Sequence, residues 1–449
     1  MKAYERHVRL AQRKGRIPAV SVAVHRADRP LWSFQVGSDA DARFRIGSIT
    51  KTFTAVLVLQ CRDDGLLDLD DPIGRHLDVP AHGDITVARL LSHTGGLQRE
   101  PYGDMWDTLR APSDAELLAT LDRAERVLPG GRQTHYSNLA YALLGQVVAR
   151  LRGVPWAAAL ATRILEPMGL SATTVEPTSR AVPGYLVDAY SDHARREPVL
   201  ECRALAPAAQ LWSTATDMAR WAGFLADPST VDPAGAVLAA STVDEMRWPR
   251  TVAEEARWYA AFGLGLNVVP QAGDDRILHV GHGGAMPGFL AAAYGRRGGE
   301  GVPPGLGVAT LGSSGTGVEV LQLAHTLLRA VVAEDPADIE PWTPGEPAPS
   351  ALRSVLGRWW GEGFEYVFFW RDGRLHARDV DDPPARPPAV FAAVEDRPDV
   401  LRTESGREAG ELLRLTRDGS GAVVRMHWAT YRFTRGQESF DGTVASEPG

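Results

Sequence analysis

Cysteine is nearly absent: Cys61 and Cys202 are the only two in 449 residues, and neither stands in a metal-ligand spacing. A disulfide-stapled scaffold and a cysteine-ligated zinc site are excluded, and both thiols are expected to be free. Long apolar runs are missing too. None approaches the ~20 residues of a spanning helix, and the N-terminal segment, with Lys2, Glu5, Arg6, Arg9, Arg13 and Lys14, lacks the apolar core of a signal peptide. A cytoplasmic location without membrane contact is the expectation. Nor is there an excess of positive charge. Lys+Arg number 48 against 56 Asp+Glu, a net charge of -8 that repels a phosphate backbone, so nucleic acid is not an expected partner. The twelve histidines include no His-Glu-x-x-His, and neither a metal nor an organic cofactor is expected.

What is present is an ordinary globular composition, with 44% hydrophobic and 23% charged residues, in a chain long enough for two or three domains. After a polar N-terminal helix, Val20 to Val24 and Leu31 to Val36 read as neighbouring strands. Helices are expected from Ser48 to Gly65, from Asn138 to Gly153, and after Thr214-Ala215-Thr216-Asp217, a capping-box pattern. Strands return at Arg276 to Val280, Phe289 to Tyr294 and Leu306 to Leu311, followed by a helix over Val318 to Val332. Strands at both ends with helices between them form an α+β pattern in which distant segments share one sheet. Pro336, Pro341, Pro344, Pro347 and Pro349 then mark a linker over 336–350, separating a first domain, 1–335, from a β-rich one, 351–449. In the latter, Tyr366 to Trp370, Leu375 to Ala377, Leu412 to Leu415 and Val423 to Tyr431 suit a small barrel, with Asp372-Gly373 as a hairpin turn. Most of the aromatic side chains from Trp359 to Trp370 are expected to fill its core.

Three segments stand out chemically. Ser48-Ile49-Thr50-Lys51 opens an apolar helix, and residues three apart share a helical face, so Lys51 can reach the Ser48 hydroxyl. With its pKa lowered by burial, the amine can take the serine proton. Tyr136-Ser137-Asn138 precedes the second long helix, and His282-Gly283-Gly284 follows an apolar strand. Each alone has a structural explanation: an N-cap serine, a buried tyrosine with a capping asparagine, a strand ending in a turn.

In the order Ser-x-x-Lys, Tyr-x-Asn, His-x-Gly, the segments resemble the active-site motifs of the serine β-lactamase and penicillin-binding-protein family. Leu90-Leu91-Ser92-His93-Thr94-Gly95-Gly96-Leu97 and Ser213-Thr214-Ala215-Thr216-Asp217-Met218 match in character, and the resemblance covers roughly 1–335, closest to the class C and D-aminopeptidase-like branch. It implies an antiparallel sheet flanked by helices, and a C-terminal lipocalin-like barrel of the kind appended to some members. It further implies Ser48 as acylated nucleophile, Lys51 and Tyr136 as the proton-transfer pair, and His282 as the third-motif catalytic residue. Asn138 would bind the substrate amide, and the edge at Gly284 and Ala285, with the Ser48 N-H, would form the oxyanion hole.

His282 departs from the Lys-Thr-Gly of class C β-lactamases, which counts against antibiotic hydrolysis. Because histidine titrates near neutrality, His282 is expected to tie activity to pH 5 to 8. His93 is read as part of a helix-ending turn and His135 as flanking the cleft. The resemblance is strongest to stand-alone penicillin-binding-protein-type thioesterases, which release and macrocyclise a nonribosomal peptide presented by a carrier protein. The alternative is a D-aminopeptidase, DD-carboxypeptidase or esterase.

Overall fold

The computed structural model describes residues 2–131, 133–253, 258–273, 276–384 and 386–437. The part of the expected barrel segment beyond 437 lies outside the described residues. The chain divides into two compact units, Met1–Ile339 and Glu340–Gly449.

The main sheet of the first unit has eight strands: β1 (Val20–His25), β2 (Trp32–Val36), β3 (Thr251–Val252), β4 (Ala261–Phe262), β5 (Asn267–Pro270), β6 (Leu278–Met286), β7 (Phe289–Arg297) and β8 (Gly307–Gly312). They form one antiparallel sheet in the order β2-β1-β8-β7-β6-β5-β4-β3, with Val20 opposite Gly312. The two-residue period of a strand sends alternate side chains to opposite faces. On one face Val20, Val22, Val24, Leu290, Ala292 and Val308 pack with helices α1 (Lys2–Gly15) and α5 (Glu319–Glu334). On the other, Ala23, Ala291, Ala293 and Ala309 leave room for α4 (Ala215–Ala226), which lies against β1, β7 and β8. The N-terminal helix is amphipathic rather than simply polar, because Tyr4, Val8 and Ala11 are buried.

Between these ends lies a helical region centred on α2 (Thr50–Asp63) and α3 (Asn138–Arg152). Almost every residue of α2 is buried, which explains its apolar character on all sides. Gly153 ends α3 with φ +67, a left-handed C-cap that glycine adopts without a Cβ clash. Thr214 caps α4 as expected by accepting from Asp217 N, but the capping box is not completed. The Asp217 carboxylate instead accepts from Ala172 N and Thr173 Oγ1, fastening a distant loop.

A larger departure concerns the third motif. His282-Gly283-Gly284 does not follow its strand but lies inside it, since β6 runs to Met286. Pairing with β7 continues along all of β6, whereas pairing with β5 stops at Gly281. Glycines that resemble a strand end in sequence here thin a strand that something else approaches.

The second unit is a closed antiparallel barrel of eight strands from Gly357 to Thr434. Leu375, Ala377, Phe391, Leu401, Leu413 and Met426 face its interior together with Trp359, Tyr366, Phe368, Trp428 and Phe433. The aromatic run therefore fills the core only in part: Trp359, Tyr366 and Phe368 are buried, Phe369 on the alternate face is only partly buried, and Phe364, the first residue of its strand, is exposed. Asp372 and Gly373 form the expected turn, both with positive φ. The run read as Val423 to Tyr431 is two strands, Val423–Trp428 and Tyr431–Thr434, reversed at Ala429.

Candidate active site

Ser48 lies in a 3-10 turn, Gly47–Ile49, that passes directly into α2. The helical backbone puts Lys51 one turn on, with Nζ 3.0 Å from Ser48 Oγ. Lys51 is fully buried, and its Nζ is also 2.6 Å from Asn138 Oδ1 and 2.9 Å from the Ala208 carbonyl oxygen. Burial disfavours the ammonium and brings its pKa down to about 7, against the opposing pull of the Glu100 carboxylate. The residue type is informative. Of 48 basic residues only Lys2, Lys14 and Lys51 are lysines. A guanidinium does not deprotonate in a protein, so only lysine gives this position an accessible neutral form.

The second motif is placed by α3. Ser137, not Asn138, caps that helix by accepting from Ala140 N, which leaves the Asn138 amide free to face Lys51. The Tyr136 ring stacks on His93, centroids 4.3 Å apart, and lies under the Lys51 Nζ at 4.9 Å. Burial raises the Tyr136 pKa, and its hydrogen bond with the Ser48 side chain opposes that rise. At neutral pH the phenol is protonated and suited to relaying a proton rather than accepting one unaided.

His93 does more than end a helix. It takes a positive φ of +58, and its Nδ1 accepts from Ser137 N while its ring backs Tyr136. It has no catalytic partner in Ser92, whose Oγ bonds Ala88 O and Thr94 Oγ1. His135 is half-buried, and its backbone N-H is tied to His93 O.

The strand-borne third motif reaches the Ser48 turn through Gly284. A Cβ on Gly284 would stand 1.9 Å from Ile46 O and 3.3 Å from Ser48 N, so the strand edge at Gly284 and Ala285 is pressed against the nucleophile turn. That is the place for two backbone N-H groups to meet a developing oxyanion. His282 is buried, with Nδ1-H directed to Gly283 O. Desolvation first, and Lys51 second, lower its pKa to about 4. The expectation that His282 titrates between pH 5 and 8 is therefore corrected: too little water reaches the ring to stabilise an imidazolium.

Ser48, Asn138 and Ala285 line a cleft of about 510 Å³, walled on its apolar side by Trp106, Leu200, Leu205 and Met286. Glu100 also lines it, accepting at 2.7 Å from Asn138 Nδ2. Nothing in the run Leu97-Gln98-Arg99-Glu100 marks this carboxylate in sequence; it arrives because Arg99 O accepts from the N-H groups of Asn138 and Leu139.

Residues 4–333 match the family model described as beta-lactamase. The chain belongs to the β-lactamase family. This is a family of serine hydrolases and acyltransferases, and the Ser48, Lys51 and Tyr136 arrangement is consistent with it. Residues 348–435 match a second model, a domain of unknown function named DUF7586. Among curated relatives, beta-lactamase-like protein 2 of Dictyostelium discoideum is 30% identical over 201 residues, 41% of this chain and 36% of that one. The chain thus spans little more than a third of that relative's length. Among solved structures, the D-stereospecific amidohydrolase from Streptomyces sp. is 25% identical with a TM-score of 0.58, covering 69% of this chain and 94% of its own. SurE, at 24% identity and a TM-score of 0.60, shares the fold across 97% of this chain and 98% of its own. Among the described residues no helix is long and apolar enough to cross a membrane.

Proposed function

We propose that this β-lactamase-family chain is a cytoplasmic serine acyltransferase. It accepts a peptidyl group with a D-residue at the reacting carbonyl and passes it from Ser48 to an amine, which makes it a thioesterase and peptide cyclase. The observation that carries the acyl-enzyme step is the Ser48 to Lys51 contact at 3.0 Å, with the lysine pKa near 7. In that step Ser48 Oγ attacks the carbonyl carbon and its proton passes to Lys51. The oxyanion faces the N-H groups of Ser48 and Ala285, and the proton leaves with the thiol through Tyr136. Attack by the peptide's own N-terminal amine reverses the sequence and releases a cyclic product.

Two features support an amine over a carboxylate-bearing substrate. The third motif carries a neutral imidazole in place of a cation that would hold a substrate carboxylate, and the cleft presents Glu100 and Glu197. Its apolar wall also limits water, which competes with the amine for the acyl-enzyme. A carrier protein is the proposed donor of the peptide.

A second reading, D-stereospecific amide or ester hydrolysis, is favoured by the likeness to the Streptomyces amidohydrolase over 94% of that chain. Incubation with a peptidyl thioester ending in a D-residue, with products resolved by mass spectrometry, separates the two. Cyclic product supports the transferase, and linear product alone supports the hydrolase. No modification of Ser48 would refute both.

A further inference from the structure

We propose that Glu100 is a positioning residue that locks the Asn138 side-chain amide in the orientation that turns the Lys51 lone pair onto Ser48. This rests on the acyl-enzyme reading above.

A neutral lysine amine has two N-H donors and one lone pair. Three oxygens surround Nζ: Asn138 Oδ1 at 2.6 Å, Ala208 O at 2.9 Å and Ser48 Oγ at 3.0 Å. The Ala208 carbonyl can only accept. If Asn138 also presents oxygen, both N-H groups are occupied, and the lone pair is left for the Ser48 hydroxyl proton. Were the amide reversed, its NH2 group would face Nζ and compete for that lone pair, and the serine proton would lose its acceptor.

The amide orientation is decided at its other end. Asn138 Nδ2 donates to Glu100 Oε1 at 2.7 Å, and an ionised carboxylate only accepts, so reversal would set two acceptors face to face. The carboxylate cannot readily withdraw, because Arg99 O is bound by the N-H groups of Asn138 and Leu139. Ion pairing does not account for Glu100 either. Arg99, with its side chain 62% exposed, comes no closer than 3.6 Å, and Glu100 Oε2 is buried with no hydrogen-bond partner among the described residues. Burial raises the Glu100 pKa, and among the described residues the one direct hydrogen bond of its carboxyl group is to Asn138.

The groups facing Lys51 bear on any pH readout. Glu100 and Cys202 raise its pKa while Arg99 lowers it. His93 and His282 are both held neutral nearby, and the rings of Tyr136 and Tyr141 lie 4.9 and 5.6 Å from Nζ.

The full chain and its Glu100→Gln, Glu100→Asp, Asn138→Ala and Glu100→Gln/Asn138→Ala variants serve as the test. Acylation by the p-nitrophenyl ester of N-acetyl-D-phenylalanine is followed before steady state, and Lys51 is titrated by NMR in protein labelled with 13C-lysine. With three lysines in the chain, one signal titrates near pH 7. Glu100→Gln should lower the acylation rate about tenfold or more, an effect of the size general-base alignment carries, with a smaller change in KM. The Lys51 titration should move to lower pH. Glu100→Asp, which keeps an acceptor-only group, should retain more activity than Gln. The decisive result is the cycle: the double variant should lose no more acylation rate than Asn138→Ala alone, while its Lys51 titration, which feels the Glu100 charge directly, should still lie below that of Asn138→Ala. Additive losses of rate, or a Lys51 titration that Glu100→Gln leaves in place, would overturn the proposal. The titration needs no turnover, so failure of the ester to acylate wild-type Ser48 would count against the acyl-enzyme reading and leave the Glu100 result readable.

Discussion

A Cβ placed on Gly47 would stand 2.7 Å from the Ala285 backbone nitrogen and 2.9 Å from its carbonyl oxygen. Two segments more than two hundred residues apart in sequence thus meet backbone to backbone beside the nucleophile, at a residue whose φ of +51 already disfavours a side chain. Gly47→Ala should push the β6 edge away from Ser48 and cost about 100-fold or more in acylation, the range for loss of an oxyanion donor. Intact-mass measurement of the Ser48 acyl-enzyme, with circular dichroism to establish folding, checks this. A folded variant acylated at the wild-type rate would show that the close approach is not needed.

Acylation should gain an acid limb near pH 7, because Lys51 accepts a proton only when neutral and its pKa lies near 7. The rate should rise as pH increases through that value and level off above it. Burst kinetics from pH 5.5 to 8.5 would show a flat profile if another group were the proton acceptor.

His282 should not contribute to that limb, since its pKa of about 4 keeps it neutral across the same range. His282→Gln is expected to lower the rate yet leave the midpoint of the acid limb within about 0.3 units, a shift small beside the ~1 unit that a lost neighbouring charge produces. A midpoint displaced by a full unit would restore the imidazole as a titrating partner.

Stability should fall with acid before the carboxylates titrate. His279 and His325, stacked with Nδ1 atoms 2.8 Å apart between β6 and α5, have pKa values lowered to about 3 and about 4 by burial, and His282 behaves likewise. Their folded pKa values lie below the unfolded one of 6.5, so the unfolded chain binds more protons. Stability is fully present above about pH 6.5 and lost as pH falls toward 4, by on the order of 1.4 kcal/mol per pH unit for each histidine. Thermal melts at pH 7, 6 and 5 should show a falling Tm, with a shallower slope in a His279→Gln/His325→Gln variant. A Tm independent of pH over that range would contradict the prediction.

In the barrel, Trp428 packs edge-on against Tyr366, Phe368 and Phe391 and donates from Nε1 to Thr403 Oγ1 at 2.9 Å. Trp428→Ala leaves a cavity and an unpartnered hydroxyl, and should destabilise that unit by about 3 to 5 kcal/mol. Hydrogen exchange across residues 357–434 measures the loss, and unchanged protection would refute it.

What the sequence by itself determined is local. Helical spacing puts Lys51 one turn from Ser48 wherever the helix lies, and the valine alternation of β1 and the turn at Asp372-Gly373 follow from backbone geometry in the same way. Their causes act over a few residues and are written in their order. The tertiary structure decided what depends on solvent exclusion and on partners far along the chain. His282 has the ordinary pKa of an imidazole until burial removes the water around it, and Gly284 looks like the end of a strand until Ile46 is found against it. Glu100 was invisible for the same reason: its partner is Asn138, brought to it by the docking of one loop on the first turn of a helix. Desolvation and long-range contact are properties of the packed chain, and no run of neighbouring residues encodes either.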